Sequence, residues 1–347
     1  MRYFMITAVG TVLLLLLYFG YQYNFGNDSS LPIDYEQEGL ADEIVIKFSH
    51  VVAESTPKGL AASKFAELVE EKTNGKIKVE VYPNSMLYSD DDEMRALLNN
   101  DIQMIAPSIS NMTEIIPEWQ VLDLPYLFTD YDDIQTIFTG DIGTKLLNSL
   151  QKKDIKGLAL WSNGFKQMTS NDHPIRNVAD FEGMQIRTMS SDMLQKQFTL
   201  LNAEPVGVSF DKVYLGLEHQ TIDAQENTLS NIYSKGFYKV QHYLTISNHG
   251  FLGYAVMMNN NFWDSLPDHL QRKVKEAIDE ATLWNLEQSE KMNDTSFTKI
   301  KQDSNLEIYT LSPKEQKEWA DAFVPLYQYY QSEINASLID EIKEEIR

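Results

Sequence analysis

The sequence predicts an α/β protein of two lobes with a long helix lying across both. Three observations predict it. A strand–helix–strand pattern opens the chain at 44–81, and a second α/β block runs from about 157 to 245. Between Pro267 and Pro313 there is then a stretch of 45 residues with neither proline nor glycine. The length of 347 residues independently suggests about two domains.

The elements follow in order. Residues 1–25 hold Arg2 and an apolar run from Tyr3 to about Tyr21, containing Val12 and Leu13 to Leu17. The run is long enough to span a bilayer, no small-x-small cleavage site follows it, and Tyr18, Phe19, Tyr21, Tyr23 and Phe25 resemble an interfacial belt. We read it as an uncleaved anchor in preference to a cleaved signal peptide, with the rest of the chain outside the cytoplasm. Residues 26–42 are polar and aperiodic, as in a tether. Ile44, Ile46 and Phe48 alternate as a strand does. Thr56 and Pro57 read as helix cap and first turn, Leu60, Ala61, Phe65 and Leu68 as the buried stripe, and Asn74-Gly75 as the stop. Ile77, Val79 and Val81 complete a β-α-β unit, which needs a parallel pair and a crossover. Asp90 to Glu93 suit the start of a further helix bearing Met94, Leu97 and Leu98, and QMIAP reads as a short strand. In the second block GLALW, MQIRT and TIDAQEN are the expected strands, with helices near 191–202 and 211–219. Leu270, Val274, Ala277, Ile278, Ala281 and Trp284 give the late helix an apolar stripe. About 30 residues of it would reach about 45 Å, more than one small domain.

Composition excludes several functions. Twenty-nine Lys and Arg against 51 Asp and Glu give a net charge of -22, with no basic cluster to hold nucleic acid. Hydrophobic residues at 43% suffice for a packed core. The absence of cysteine removes disulfides, thiolate metal sites and a cysteine nucleophile. His50, His173, His219, His242, His249 and His269 make no metal spacing, GVSFD lacks the second glycine of a nucleophile elbow, and no phosphate-binding glycine loop is present. We expect no enzyme activity, cofactor or metal.

Two cations carry more information. Arg187 lies in the apolar alternation MQIRTM, where a buried guanidinium needs a partner: an internal carboxylate, or a ligand carboxylate held bidentately. Lys166 follows WSNGF just after the GLALW strand, at the ligand-facing end of an open sheet or as a solvated surface lysine.

The segments SHVVAESTPKG, KIKVEVYPNSMLY, LDLPYLF, WSNGFKQMTSN, FEGMQIRTMSS, VSFDKVY, IDAQENTLSNIYS and SNHGFLGYAVMMN occur in that order. Together, over about 43–335, they closely resemble the DctP-type binding subunits of tripartite ATP-independent periplasmic (TRAP) transporters. The resemblance implies a periplasmic-binding-protein-like (Venus-flytrap) fold. Lobe I would be 43–163 with 250–290, and lobe II 164–249 with 291–347, the C-terminal helices packed across. It implies a receptor that captures a small organic acid, a C4-dicarboxylate such as malate, succinate or fumarate, and hands it to membrane permease subunits. A ligand-sensing ectodomain serving a membrane kinase or chemoreceptor is the alternative. Arg187 falls on the family's carboxylate-binding arginine, Asn227 on its ligand-facing asparagine, and Phe210 on the aromatic that packs on the ligand, or in the core. Thr228 stands where proline is usual, a departure expected to loosen that turn. Lys166 occupies a place where sialic-acid binders have arginine, and its form NGFKQM matches the dicarboxylate binders. His50 and His249 lie in motifs at the mouth of the cleft; Lys58 and Tyr88 complete the candidates, Lys58 being equally readable as solvated.

Overall fold

The computed structural model describes residues 43–347, so the expected anchor at 1–25 and tether at 26–42 lie outside the described residues. Among the described residues no helix is long and apolar enough to cross a membrane. The chain begins β1 (Ile44–Ser49), α1 (Pro57–Thr73), β2 (Ile77–Tyr82), α2 (Glu93–Leu98) and β3 (Met104–Ile105). The local chemistry of α1 is the one the sequence predicts. Thr56 accepts from the Gly59 amide at 3.2 Å, Pro57 occupies the first turn, and Asn74 ends the helix in the left-handed region at φ 51°. Helices α3 (Tyr131–Thr139) and α4 (Asp141–Ser149) lead to β4 (Ile155–Ser170).

The second block is β5 (Gln185–Thr188), α5 (Asp192–Leu200), β6 (Glu204–Gly207), α6 (Val213–Glu218), β7 (Ala224–Thr228) and α7 (Leu229–Ser234). The chain returns through β8 (Tyr243–Asn259) and α8 (Asn260–Ser265) to α9 (Asp268–Asp303). It ends on β9 (Glu307–Thr310), α10 (Pro313–Ala322), α11 (Val324–Glu333) and α12 (Leu338–Glu345).

Among the described residues all nine strands form one sheet in the order β2-β1-β3-β8-β4-β7-β5-β6, with β9 beside β8. The parallel trio β2-β1-β3 belongs to one lobe and the parallel trio β7-β5-β6 to the other. Between them run β4 and β8, antiparallel strands of 16 and 17 residues, which join the two α/β lobes. At that length each spans about 50 Å. Lys166 is therefore not beyond a strand but inside one. The strand does not end at GLALW: the chain absorbs Ser162, Asn163 and Gly164, residue types that favour turns, as a register shift between Ser162 and Gly164, with Gly164 at φ 137°, and pairing continues.

Helix α9 has 36 residues, about 54 Å at the helical rise. It packs on α1 of the first block, on β4, and on α7 of the second, as a spanning helix should. The C-terminal helices also straddle: the Trp319 indole donates to Arg176 O, Tyr330 to Glu118 O, and Glu341 pairs with Lys145 at 2.7 Å. The core lies on both faces of the sheet. Met168, Ile186, Ala224 and Phe251 pack toward Trp319 on one, and Leu252, Tyr254 and Phe210 lie on the other with Val274 and Ile278.

Candidate functional site

Strand alternation decides which functional groups can meet. Arg187 of β5 stands beside Gln225 of β7, and Gln167 of β4 beside Asn227. Successive residues point to opposite faces, so Arg187, Gln225 and Asn227 share one face while Lys166, Met168 and Glu226 share the other. The first face looks into a cavity of about 350 Å³, part of it open to solvent, lined by Asp90, Arg187, Phe210, Asn227, Asn231 and Tyr254 among others.

Arg187 is 1% exposed. Its Nε donates to Val208 O at 2.9 Å, and among the described residues it forms no ion pair. Burial lowers its pKa, opposed mainly by the nearby Asp90 carboxylate. The two terminal nitrogens of the guanidinium are thus the donors left for the cavity. Asn227 is held by its oxygen, which accepts from the Thr228 amide at 3.1 Å and from Asn231 Nδ2 at 2.8 Å, so its amide NH2 is the free end. Thr228 does not loosen this turn as expected. Its hydroxyl caps α7 through the Asn231 amide and takes Asn163 Nδ2 at 2.6 Å, fixing a position where proline could offer no such bonds. Phe210 sits over the pocket with the Arg187 guanidinium 6.0 Å from its ring centre, and its amide donates to both oxygens of Asp90 at 3.2 Å. Burial raises the Asp90 pKa, with Arg187 working against it.

The second expected cation is elsewhere. Lys166, 2% exposed and so not a solvated lysine, gives its ammonium to Glu226 Oε1 at 2.7 Å. His249 Nε2 meets the other Glu226 oxygen at 2.8 Å, and its Nδ1 meets Ser247 Oγ at 2.7 Å. Burial pushes the Glu226 carboxyl up, but Lys166 and His249 outweigh it and hold its pKa far below the usual range. An internal carboxylate partner therefore exists, but it belongs to Lys166 and not to Arg187. Lys166 and His249 lie on the sheet face away from the cavity, against Trp319, whose ring is 5.8 Å from that of His249. They do not line the site, contrary to expectation, because a single-residue step in β7 separates Glu226 from Asn227.

The other candidates sit behind the wall. Lys58 is fully buried, not solvated: its ammonium donates to Ala106 O at 2.8 Å and lies 3.7 Å from the Tyr254 ring centre. Burial lowers its pKa to about 7, and burial together with Lys58 lowers that of His50 to about 3, leaving His50 neutral. Tyr88 is half-buried against the core and does not line the cavity. The sequence reading missed Asp90 as a cavity residue, because an acid beside a helix start is explained by the dipole. It also missed Tyr254 and Asn231 in the lining, and beside it Lys235, whose Nζ lies 5.0 Å from the Phe210 ring centre. Among the described residues no cluster of His, Asp and Glu could hold a metal ion.

Comparison with known proteins agrees with this geometry. Residues 48–333 match the DctP family, described as bacterial extracellular solute-binding protein, family 7. The C4-dicarboxylate-binding protein DctB of Bacillus subtilis (strain 168) is 49% identical over 340 residues, 98% of this chain and 96% of that protein. A TRAP periplasmic solute-binding protein of Shewanella oneidensis, solved with bound succinate, superposes with a TM-score of 0.85 at 40% identity, over 88% of this chain and 100% of that one. One from Pseudomonas aeruginosa PAO1 with bound L-malate gives 0.80 at 36%, over 83% and 100%. With its two α/β lobes, its buried arginine free toward the cleft and a match over most of its length, the chain belongs to the DctP family of bacterial extracellular solute-binding proteins.

Proposed function

We propose that the protein is the capture subunit of a TRAP transporter for a C4-dicarboxylate such as succinate, malate or fumarate, and that it delivers this ligand to membrane permease subunits outside the cytoplasm. The observation that carries this reading is Arg187, buried on β5, its fork facing the cavity and its charge paired with no carboxylate among the described residues. A desolvated guanidinium is costly unless an anion completes it, and a planar two-oxygen group fits its two parallel donors. Asn227 supplies a neutral donor from the same face, and Phe210 an apolar wall. The similarity to succinate- and malate-bound proteins supports the ligand class.

In this reading lobe I is 43–163 with 250–290 and lobe II is 164–249 with 291–347. The division falls at the irregular pairing of β4 around Gly164, where backbone rotation costs least. Closure about β4 and β8 would trap the ligand and present the closed surface to the permease. A thermal-shift titration tests the ligand class. Succinate, malate or fumarate at 100 times its dissociation constant adds about 2.7 kcal/mol to stability. The melting temperature should rise with these acids and stay flat with neutral sugars, and Arg187→Ala should abolish the shift. A native protein indifferent to all three acids would overturn the reading.

A further inference from the structure

We propose that Lys235 is a specificity-determining residue of this cleft, the cation that takes the ligand's second carboxylate while Arg187 takes the first. The inference rests on the dicarboxylate reading above and deepens it. A dianion with a charge at each end needs two separated cations; Arg187 lines the pocket, and Lys58, Lys166 and Lys235 are buried or half-buried cations near it. Two of them are already engaged. Lys166 is neutralised by Glu226 on the far face of the sheet. Lys58 is enclosed, with Ala106 O at 2.8 Å and the Tyr254 ring at 3.7 Å taking its ammonium.

Arg187 and Lys235 differ from these. Lys235 is the C-terminal cap of α7, where a lysine is explained by the helix dipole alone. Its direction is not. The half-buried side chain runs to the Phe210 ring, 5.0 Å from the centre, and its one hydrogen-bond partner is the neutral amide oxygen of Asn84 at 3.3 Å. Arg187 faces the same ring at 6.0 Å. Phe210 is thus flanked by both cations, and the 5.0 and 6.0 Å legs of that triangle limit how far apart they can be. The carboxyl carbons of a four-carbon diacid are about 4 Å apart, a span of three bonds. Each carboxylate reaches its cation across about 2.8 Å. A diacid lying along Phe210 can thus reach both Arg187 and Lys235 within the bound those legs set.

Asp90 supports the assignment. Its carboxylate bears on Arg187 and, after the larger influence of Asp211, on Lys235, while accepting from the Phe210 amide. It is the fixed counter-charge that lets two poorly paired cations share one cleft before ligand arrives. Lys235 also lies close enough to His50 and Lys58 to lower the pKa of each. A monocarboxylate would satisfy Arg187 and leave Lys235 desolvated without a partner, which is how such a site discriminates.

The experiment is calorimetric titration of succinate and of butyrate into the native protein, Lys235→Gln and Lys235→Arg at fixed salt. The native protein should prefer succinate strongly. Lys235→Gln should weaken succinate by about 10- to 100-fold while butyrate stays within about threefold. Lys235→Arg should keep most of the succinate affinity, because a charge on a long stem is retained. An unchanged succinate-to-butyrate ratio in Lys235→Gln would overturn the role of Lys235 and leave the dicarboxylate reading standing. Equal loss of both ligands, or an arginine variant as weak as the glutamine one, would also overturn it by making Lys235 structural. A native protein that binds neither acid would remove both readings together.

Discussion

Glu93 brings a carboxylate into the interior behind Tyr254, 1% exposed, with neither oxygen hydrogen-bonded. Burial raises its pKa to about 8, with Lys58 opposing the rise and Asp90 adding to it. Between about pH 4.5 and 8 the unfolded chain carries Glu93 ionised while the fold keeps it protonated. The fold then binds the extra proton, so this group erodes stability as pH rises through that window, and the loss is complete above the folded value. Glu93→Gln has no proton to lose. Its melting temperature should match the native protein near pH 4.5 and exceed it by about 2–4 °C or more at pH 8, the shift that one kcal/mol gives in a chain approaching this size. A constant difference across pH would show that Glu93 is ionised in the fold at all values. The same residue scale shows what was legible in the sequence. Arg187 within MQIRTM and Lys166 just after GLALW both read as cleft cations, and only the fold separates them. Alternation within QEN does predict that Glu226 and Asn227 face opposite ways. Which strand supplies a lysine to Glu226 depends on the pairing of β4 with β7, a non-local contact that no local pattern encodes.

Helix α9 was legible as a helix from its lack of proline and glycine, but only half of its buried face was. The apolar stripe fades after Trp284, and Asn285, Ser289 and Asn293 look like solvent positions. All three are buried. They follow one another at four-residue spacing on the face that meets β4, where the irregular pairing around Gly164 leaves backbone groups without strand partners. Asn285 accepts from Ser162 N at 2.6 Å and donates to Ser162 O at 3.1 Å, Ser289 meets the Ser162 hydroxyl, and Asn293 donates to Asn163 O at 2.6 Å. The helix thereby repairs the strand that the sequence seemed to end. Gly164 fits this junction only without a side chain, since an added Cβ would lie 2.5 Å from Asn293 Nδ2. Asn285→Leu keeps the volume, removes both bonds and strands a buried amide and carbonyl of Ser162. It should cost about 2–4 kcal/mol in urea unfolding. Leu283→Ala, on the exposed side of the same helix, should stay within about 0.5 kcal/mol. Equal losses in the two variants would mean that the polar stripe contributes only bulk.

For the whole molecule, the two α/β blocks and the spanning helix were readable because each rests on local periodicity. The single sheet was not. It is made by β4 and β8, whose central pairing joins residues nearly a hundred positions apart, such as Trp161 with Tyr254. Charge belongs to this scale as well. The chain carries -22 and its proposed ligand is a dianion, so the global field opposes encounter while Arg187 and Lys235 attract at short range. Salt separates the two. At 0.01 M the screening length is about 30 Å, comparable to the molecule, and an approaching dianion meets the summed negative charge. At 0.15 M it is about 8 Å, and the ligand senses only the cleft it is entering. The succinate association rate should therefore rise with ionic strength over this range, by about 2- to 10-fold, opposite to the usual behaviour of a binding step between a cation and an anion. Butyrate, with one charge, should show a smaller rise. The dissociation rate should change less, because the Arg187 contact is buried and weakly screened. Stopped-flow fluorescence at a series of salt concentrations measures both rates. A succinate association rate that falls with added salt would show that the cations of the cleft govern the approach even at long range, and that the acidic surface is arranged to leave its mouth open to anions.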